Sequence, residues 1–322
     1  MSIRSLPEYG TDTEALAFAW LEVTGFCNLE CIHCYADSSP QGTHGSMTVS
    51  RWKDCIDQLA AMGTRNVQLI GGEPTLYPYL AELVAHARGA GLGVEVFSNL
   101  THVPDELWSA FAEHGVSLAT SYYSDEADDH DKVTERRGSH ARTRANIQRA
   151  RELGIPLRGG IISVRQGQRT QGALRDLTAL GLTVVGADHT RRFGRGSRGG
   201  RPTVGDLCGH CAHGKAAIGP DGDVWPCVLG RFISLGNVQD TPLEEIWNGV
   251  PTADARREIE AAHGPGGASA EACTPPQFLP MCGPCAPCVP SVANCDPRPA
   301  DAATIGAPGQ IGLQEARGVA DG

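Results

Sequence analysis

Residues 18–34 read FAWLEVTGFCNLECIHC, an apolar strand pattern that runs into three cysteines, Cys27, Cys31 and Cys34. Their spacing, C-x3-C-x2-C, decides both fold and chemistry. Three thiolates cannot complete a tetrahedral zinc site by themselves. A cubane [4Fe-4S] cluster can take them on three irons and leave the fourth iron without a protein ligand. An open iron can bind a small molecule and pass it an electron. The stretch therefore predicts a redox enzyme rather than a structural metalloprotein.

Outward from this stretch, short apolar runs recur at 18–26, 66–70, 94–98, 117–122, 157–164 and 183–187. Helical patterns lie between them, near 48–62, 79–90, 105–114, 140–153 and 171–181. Strands separated by helices of this length predict crossovers and a parallel sheet. Six strands are too few for a complete eight-stranded barrel, so the expected fold is α/β, a partial (β/α)6 TIM-like barrel over 18–194. Polar and Gly-rich signals follow several strand ends: Gly71-Gly72-Glu73-Pro74, Ser98-Asn99 and Ser121. Ligands of parallel α/β folds bind at the carboxyl ends of the strands, so these elements should converge on the triad.

Beyond the barrel, Gly194–Gly205 reads GRGSRGGRPTVG, which predicts a flexible linker over 195–206. A small Cys-rich α+β iron–sulfur domain is expected over 207–296, with short strands around 216–235 and a helix at about 242–249. Residues 297–322 are low in large apolar types and predict a disordered tail. Residues 1–17 form an N-terminal segment, too short for a peptide-recognition domain ahead of the first strand.

The triad, the Gly-Gly-Glu-Pro turn after the second strand and the Ser-Asn turn after the third resemble the radical S-adenosylmethionine superfamily, over roughly 18–190. His33 stands where that family usually has an aromatic residue before the last cysteine. The resemblance implies that Cys27, Cys31 and Cys34 hold a [4Fe-4S] cluster whose open iron chelates S-adenosylmethionine. It places Gly71, Gly72, Glu73 and Pro74 around the methionyl ammonium, with Glu73 as its counter-charge or as a brace for the loop. It places Asn99 and Ser121 near the ribose or the carboxylate, local turn capping being the alternative. The implied chemistry is reductive cleavage of the cofactor to a 5′-deoxyadenosyl radical, which takes hydrogen from an unactivated carbon. A zinc knuckle completed by His33 or His44 is the bland alternative.

The chain has twelve cysteines. With the triad and Cys55 set aside, eight remain: Cys208, Cys211, Cys227, Cys273, Cys282, Cys285, Cys288 and Cys295. Eight thiolates can ligate two further [4Fe-4S] clusters. Cys208-x2-Cys211, Gly222-x4-Cys227, the later cysteine group and LGNVQDTPLEEIW at 235–247 resemble the SPASM extension, which carries auxiliary clusters in enzymes that modify peptides or proteins. The last group, Cys282-x2-Cys285-x2-Cys288-x6-Cys295, departs from the family's C-x2-C-x5-C-x3-C. By chain order, Cys208, Cys211, Cys227 and Cys288 are expected on one cluster and the rest on the other. A zinc ribbon on Cys208, Cys211, Cys282 and Cys285 is the competing reading.

Sulfatase-maturing enzymes resemble this chain but carry an acid after the Gly-x4-Cys cysteine, where Val228 stands here. Their Ser-Leu-Asp-Gly is replaced by Ser121-Tyr122-Tyr123-Ser124. A substitute proton acceptor is expected in Asp188 or His189 at the end of the sixth strand, against the alternative of a solvated pair. Cys55 lies on the apolar face Trp52, Cys55, Ile56, Leu59 and reads as core. The arginines at 191, 192, 195, 198 and 201 read as a solvated basic stretch or a contact for an acidic leader peptide.

A net charge of -10 argues against nucleic acid as a partner. No run of about 18 apolar residues and no signal-peptide pattern is present, so a cytoplasmic protein without membrane contact is expected. The expected substrate is a ribosomally synthesised precursor peptide, oxidatively crosslinked through a thioether or carbon–carbon bond. Closure leaves an extra electron, for which an auxiliary cluster is a natural acceptor. An electron donor such as flavodoxin or ferredoxin, and a separate peptide-recognition protein, are the other expected partners. The alternatives are a dehydrogenase of a sugar- or aminoglycoside-like alcohol, a sulfatase-maturase-like protein oxidase, and a zinc-binding scaffold.

Overall fold

The strand that leads into the triad, β1 (Phe18–Thr24), is buried along its whole length, as an interior strand of a parallel sheet covered on both faces must be. Five more strands follow it: β2 (Asn66–Gly71), β3 (Gly93–Phe97), β4 (Ser117–Tyr122), β5 (Leu157–Ser163) and β6 (Val185–His189). All six pair in parallel and in chain order. Spatial order that follows chain order means every right-handed crossover steps the same way, so the helices share one face. That is the winding of a partial barrel. The computed structural model describes residues 15–263. Cys273, Cys282, Cys285, Cys288, Cys295 and the tail expected at 297–322 lie outside the described residues.

The two-residue period of each strand sorts the core into two layers. Ala19, Leu21, Val23, Val67, Leu69, Val94, Val96 and Leu118 face outward, in one cluster with Trp52, Ile56 and Leu59 of α1 (Val49–Ala61). The same cluster takes in Leu83 and Val84 of α2 (Leu80–Gly89) and Trp108 and Phe111 of α3 (Asp105–Glu113). Cys55 belongs to this layer, as its spacing predicts, and burial pushes its thiol up to about 12. Phe18, Trp20, Ile70, Phe97 and Ala119 face inward and pack against Leu207, Trp225, Cys211 and Cys227. The segment after the barrel thus fills the barrel's inside.

The sheet continues past β1. β7 (Lys215–Ile218) joins its free edge in parallel, and β8 (Asp223–Trp225) and β9 (Gly236–Asn237) add antiparallel. A polar layer sits on the inner face, where Arg158 makes a two-pronged ion pair with Glu95 at 2.8 and 2.7 Å and Gln68 donates to the same carboxylate. Among the described residues no helix is long and apolar enough to cross a membrane.

Three differences from the sequence reading matter. A helix absent from it, α4 (Ala127–Thr134), precedes α5 (Ser139–Glu152). Its ADDHDKVT buries only His130, Val133 and Thr134, too sparse an apolar stripe to read. The sixth strand runs later than 183–187, so Asp188 and His189 lie within it. The Gly-rich stretch from Gly194 is bound to the cysteine loop rather than loose. Its first residues form a 3-10 turn, Gly194–Ser197, and Arg195 N–H donates to Cys34 O at 2.9 Å. Composition predicted mobility there because glycine and arginine are common in solvated linkers, but here the glycines make room for close backbone contact.

Candidate functional site

The exits of β1, β2, β3 and β4 meet at a cavity open to solvent. Cys27, Cys31 and Cys34 all line it, as do Gly71 and Gly72 from the β2 exit. Asn99 follows β3, and Ser121 stands on β4. The convergence expected from four separated motifs is present. Pro74 and Glu73 belong to the same turn but not to the wall.

Hydrogen bonds between strand exits hold the turn against the cysteine loop. Gly72 N–H donates to Thr24 O at 2.7 Å, and Glu73 N–H to Phe26 O at 2.9 Å. A Cβ on Gly72 would stand 2.2 Å from Phe26 O, and one on Gly71, whose φ is +146°, 2.3 Å from Thr24 O. Glycine is required here for the contact between the two loops. Gly72→Ala should therefore lower unfolding stability by about 1–3 kcal/mol through overpacking and reduce iron bound at the triad. Chemical denaturation and iron analysis of anaerobic protein measure both effects.

Glu73 is fully buried and braces the loop. One carboxylate oxygen accepts from Thr75 N–H (3.1 Å), Thr75 O–H (2.7 Å) and Ser98 O–H (2.7 Å). The other accepts from Asn99 N–H at 2.8 Å. Burial pushes its pKa up, and these hydrogen bonds pull it back. Of its two expected roles, the brace is the one its contacts serve. Asn99 in turn donates from Nδ2 to Asn28 Oδ1 at 2.9 Å and stands 3.9 Å from Cys27 Sγ.

The donor set suits an iron–sulfur cluster. Burial, then the charge of Glu73, pushes the Cys27 thiol up to about 12, and burial also raises Cys34. Such thiols become thiolates only when a metal takes the proton's place. Leu29 N–H donates to Cys27 Sγ at 3.4 Å, a contact that favours the thiolate. His33 is buried beside the triad, its ring edge-on to Tyr123 at 5.1 Å, and neither ring nitrogen has a hydrogen-bond partner in the protein. Burial holds it neutral, near pKa 4. His44, the other residue of the zinc-knuckle reading, bonds through Nδ1 to Thr24 Oγ1 at 2.8 Å.

A second group of sulfurs forms in the inner core layer, in the segment that follows the barrel strands. Cys211 Sγ lies 2.9 Å from Cys227 Sγ, and hydrogen bonds with Cys208 and then Cys227 push the Cys211 thiol well above its ordinary range. Crowded thiols that resist ionisation in this way are a natural ligand group once deprotonated. Three of the eight distal cysteines come together here, and the other five are outside the described residues.

Asp188 and His189 do not reach the cavity wall. Asp188 pairs with Arg191 at 3.0 Å and accepts from its neighbour's His189 N–H at 2.8 Å, while the His189 side chain is half exposed. Two basic lining residues, His130 and Arg195, were not placed at this cavity by the sequence reading, which put Arg195 in a solvated or leader-contacting arginine stretch. His130, on the unread helix α4, is buried, neutral with a pKa near 3, and leaves Nδ1 unpartnered. Arg195 comes from the supposed linker. Their only signal would have been tertiary proximity.

Fold and site together define an iron–sulfur enzyme that binds S-adenosylmethionine at the mouth of a partial barrel. The model of the radical SAM superfamily matches residues 21–166, and that of the SPASM iron–sulfur cluster-binding domain matches 208–288. The chain belongs to the radical SAM superfamily and carries the SPASM extension; its cofactors are [4Fe-4S] clusters and S-adenosylmethionine. PqqA peptide cyclase of Xanthomonas campestris pv. campestris is 27% identical over 278 residues, covering 71% of this chain and 72% of that protein. Mycofactocin maturase MftC of Mycobacterium ulcerans is 26% identical over 302 residues, covering 79% and 80%. The structure of Streptococcus suis SuiB bound to precursor peptide SuiA shares the fold, with a TM-score of 0.62 at 14% identity over 74% of this chain and 66% of that one.

Proposed function

We propose that this enzyme modifies a ribosomally made precursor peptide, removing hydrogen from one residue and closing an oxidative thioether or carbon–carbon crosslink. The observation that carries the reading is the similarity to a peptide cyclase and a mycofactocin maturase over more than two thirds of both partners' lengths, across barrel and extension alike. In this reading Cys27, Cys31 and Cys34 hold the cluster with the open iron. Gly71, Gly72, Asn99 and Ser121 surround the cofactor, and Glu73 and Pro74 keep their loop in place. Cys208, Cys211 and Cys227 hold part of an auxiliary cluster, completed from Cys273, Cys282, Cys285, Cys288 and Cys295.

When bound, the cluster and S-adenosylmethionine supply abstraction of hydrogen from an unactivated carbon. The protein's part is to orient and enclose. Among the described residues no carboxylate lines the cavity, in keeping with Val228 at the place of the missing acid. The neutral rings of His33 and His130 are the imidazoles on that wall. A flavodoxin- or ferredoxin-like donor and a separate peptide-recognition protein complete the proposal.

Mass spectrometry of a candidate peptide co-expressed with the enzyme tests it. A loss of two hydrogens is expected. An unchanged mass with inverted stereochemistry would replace crosslinking by epimerisation, and no change in any peptide, with a sugar alcohol oxidised instead, would end the peptide reading.

A further inference from the structure

The side chain of Arg195 has no part in the reading above, yet it reaches the cysteine loop from outside the barrel motifs. Its Nε donates to Cys31 O at 2.8 Å and its Nη2 to Ser38 O at 2.8 Å, while its backbone N–H donates to Cys34 O at 2.9 Å. The flanking glycines permit this approach. Gly194, at φ +49°, has Cys34 O and Tyr35 O within 2.4 Å of where a Cβ would stand, and a Cβ on Gly196 would meet Arg191 O at 2.5 Å. A Gly-Arg-Gly sequence is thus pressed onto the backbone that presents two of the three thiols. Arg195 also lines the cavity.

The surrounding charges leave Arg195 with a distinct task. Arg195 is the arginine among the residues that line the cavity with the three thiols. Arg231, the other cation nearby, is engaged with Glu22, whose second oxygen accepts from Tyr35 O–H at 3.0 Å. In the contacts above the guanidinium of Arg195 bonds to two neutral backbone carbonyls.

We propose that Arg195 is a positioning residue for the triad's cluster: its fixed positive charge, set against the loop that carries Cys31 and Cys34, favours the one-electron-reduced form. This rests on the triad holding the cluster proposed above. The step concerned is transfer of one electron from a low-potential one-electron reductant to the cluster. Reduction adds one negative charge beside the guanidinium, in a half-buried site where Coulomb interaction is stronger than in water. A charge-neutral residue should make that electron harder to add.

The test is a redox titration of the full, anaerobically reconstituted protein. Electron paramagnetic resonance isolates the cluster with the open iron, because its signal alone changes when S-adenosylmethionine is added. In Arg195→Gln the reduced fraction at a fixed reductant poise should fall roughly tenfold, about 59 mV for a one-electron couple. Arg195→Lys, which keeps the charge but not the fork, should stay near the parent protein. A parent protein with no S-adenosylmethionine-sensitive signal would mean that the cluster assignment itself is wrong. A parent with that signal and an Arg195→Gln variant of unchanged potential would overturn only the role of Arg195. Should Arg195→Gln lose the signal while Arg195→Lys keeps it, charge is still what the site needs. Loss from both would make Arg195 a strap for the fold and end the proposal.

Discussion

Cys31→Ala should yield protein that makes no detectable 5′-deoxyadenosine from S-adenosylmethionine under reducing conditions. Three thiolates are the least that can hold a cubane while leaving one iron open, and two cannot compensate for the third. The loop offers no spare sulfur: Cys27 and Cys34 are the other members of the triad, and Cys55 is buried in the outer core layer. The variant should also lose about four irons and four sulfides per chain, while iron held by the distal cysteines stays. This selective loss separates a broken site from a broken fold. A Cys31→Ala protein that still cleaved the cofactor at the parent rate would sink the assignment of the open-iron cluster to this triad.

Arg158→Met should cost about 3–5 kcal/mol of stability, because it leaves a buried carboxylate without its ion-pair partner. Glu95 is 2% exposed and Arg158 8%, and the two meet through paired N–H···O bonds on the inner face of the sheet. Neither carbon chain nor thioether can replace those two donors, and Gln68 satisfies Glu95 through only one. The guanidinium also lies 5.6 Å from the centre of the Phe97 ring, so packing is lost along with charge. Replacing both members, as Arg158→Met with Glu95→Leu, should recover most of the loss, since an apolar pair carries no desolvation cost. Urea unfolding of the single and double variants measures this. Equal midpoints for the parent and Arg158→Met would show that the pair is not a net support of the barrel.

Burial is the main cause that keeps His33 and His130 neutral, joined by the charge of Arg195 at His33 and by His140 at His130. Each has its pKa lowered far below the ordinary imidazole value, to about 4 and about 3. Stability that depends on keeping these rings uncharged is present above the ordinary pKa of about 6.5. It falls as the pH drops below that value, because the unfolded chain then binds protons that the folded one does not.

The sequence by itself determined what is local. The triad's ligand spacing lies within eight residues, and the six parallel strands were legible as short apolar-rich runs separated by helical patterns. The Gly-Gly-Glu-Pro and Ser-Asn turns could be placed at strand exits, hence on one side of a parallel sheet, before any coordinates. Tertiary structure alone decided which polar groups share the cavity. Arg195 bonds to Cys31 across 164 positions, and the composition around it resembles solvated linker. His130 sits on a helix with almost no apolar stripe, and the bonds that Ser98 and Asn99 give to Glu73 cross from another strand exit. Spacing and periodicity encode a residue's own backbone and face, whereas a buried charge or imidazole takes its role from neighbours that folding brings from distant parts of the chain.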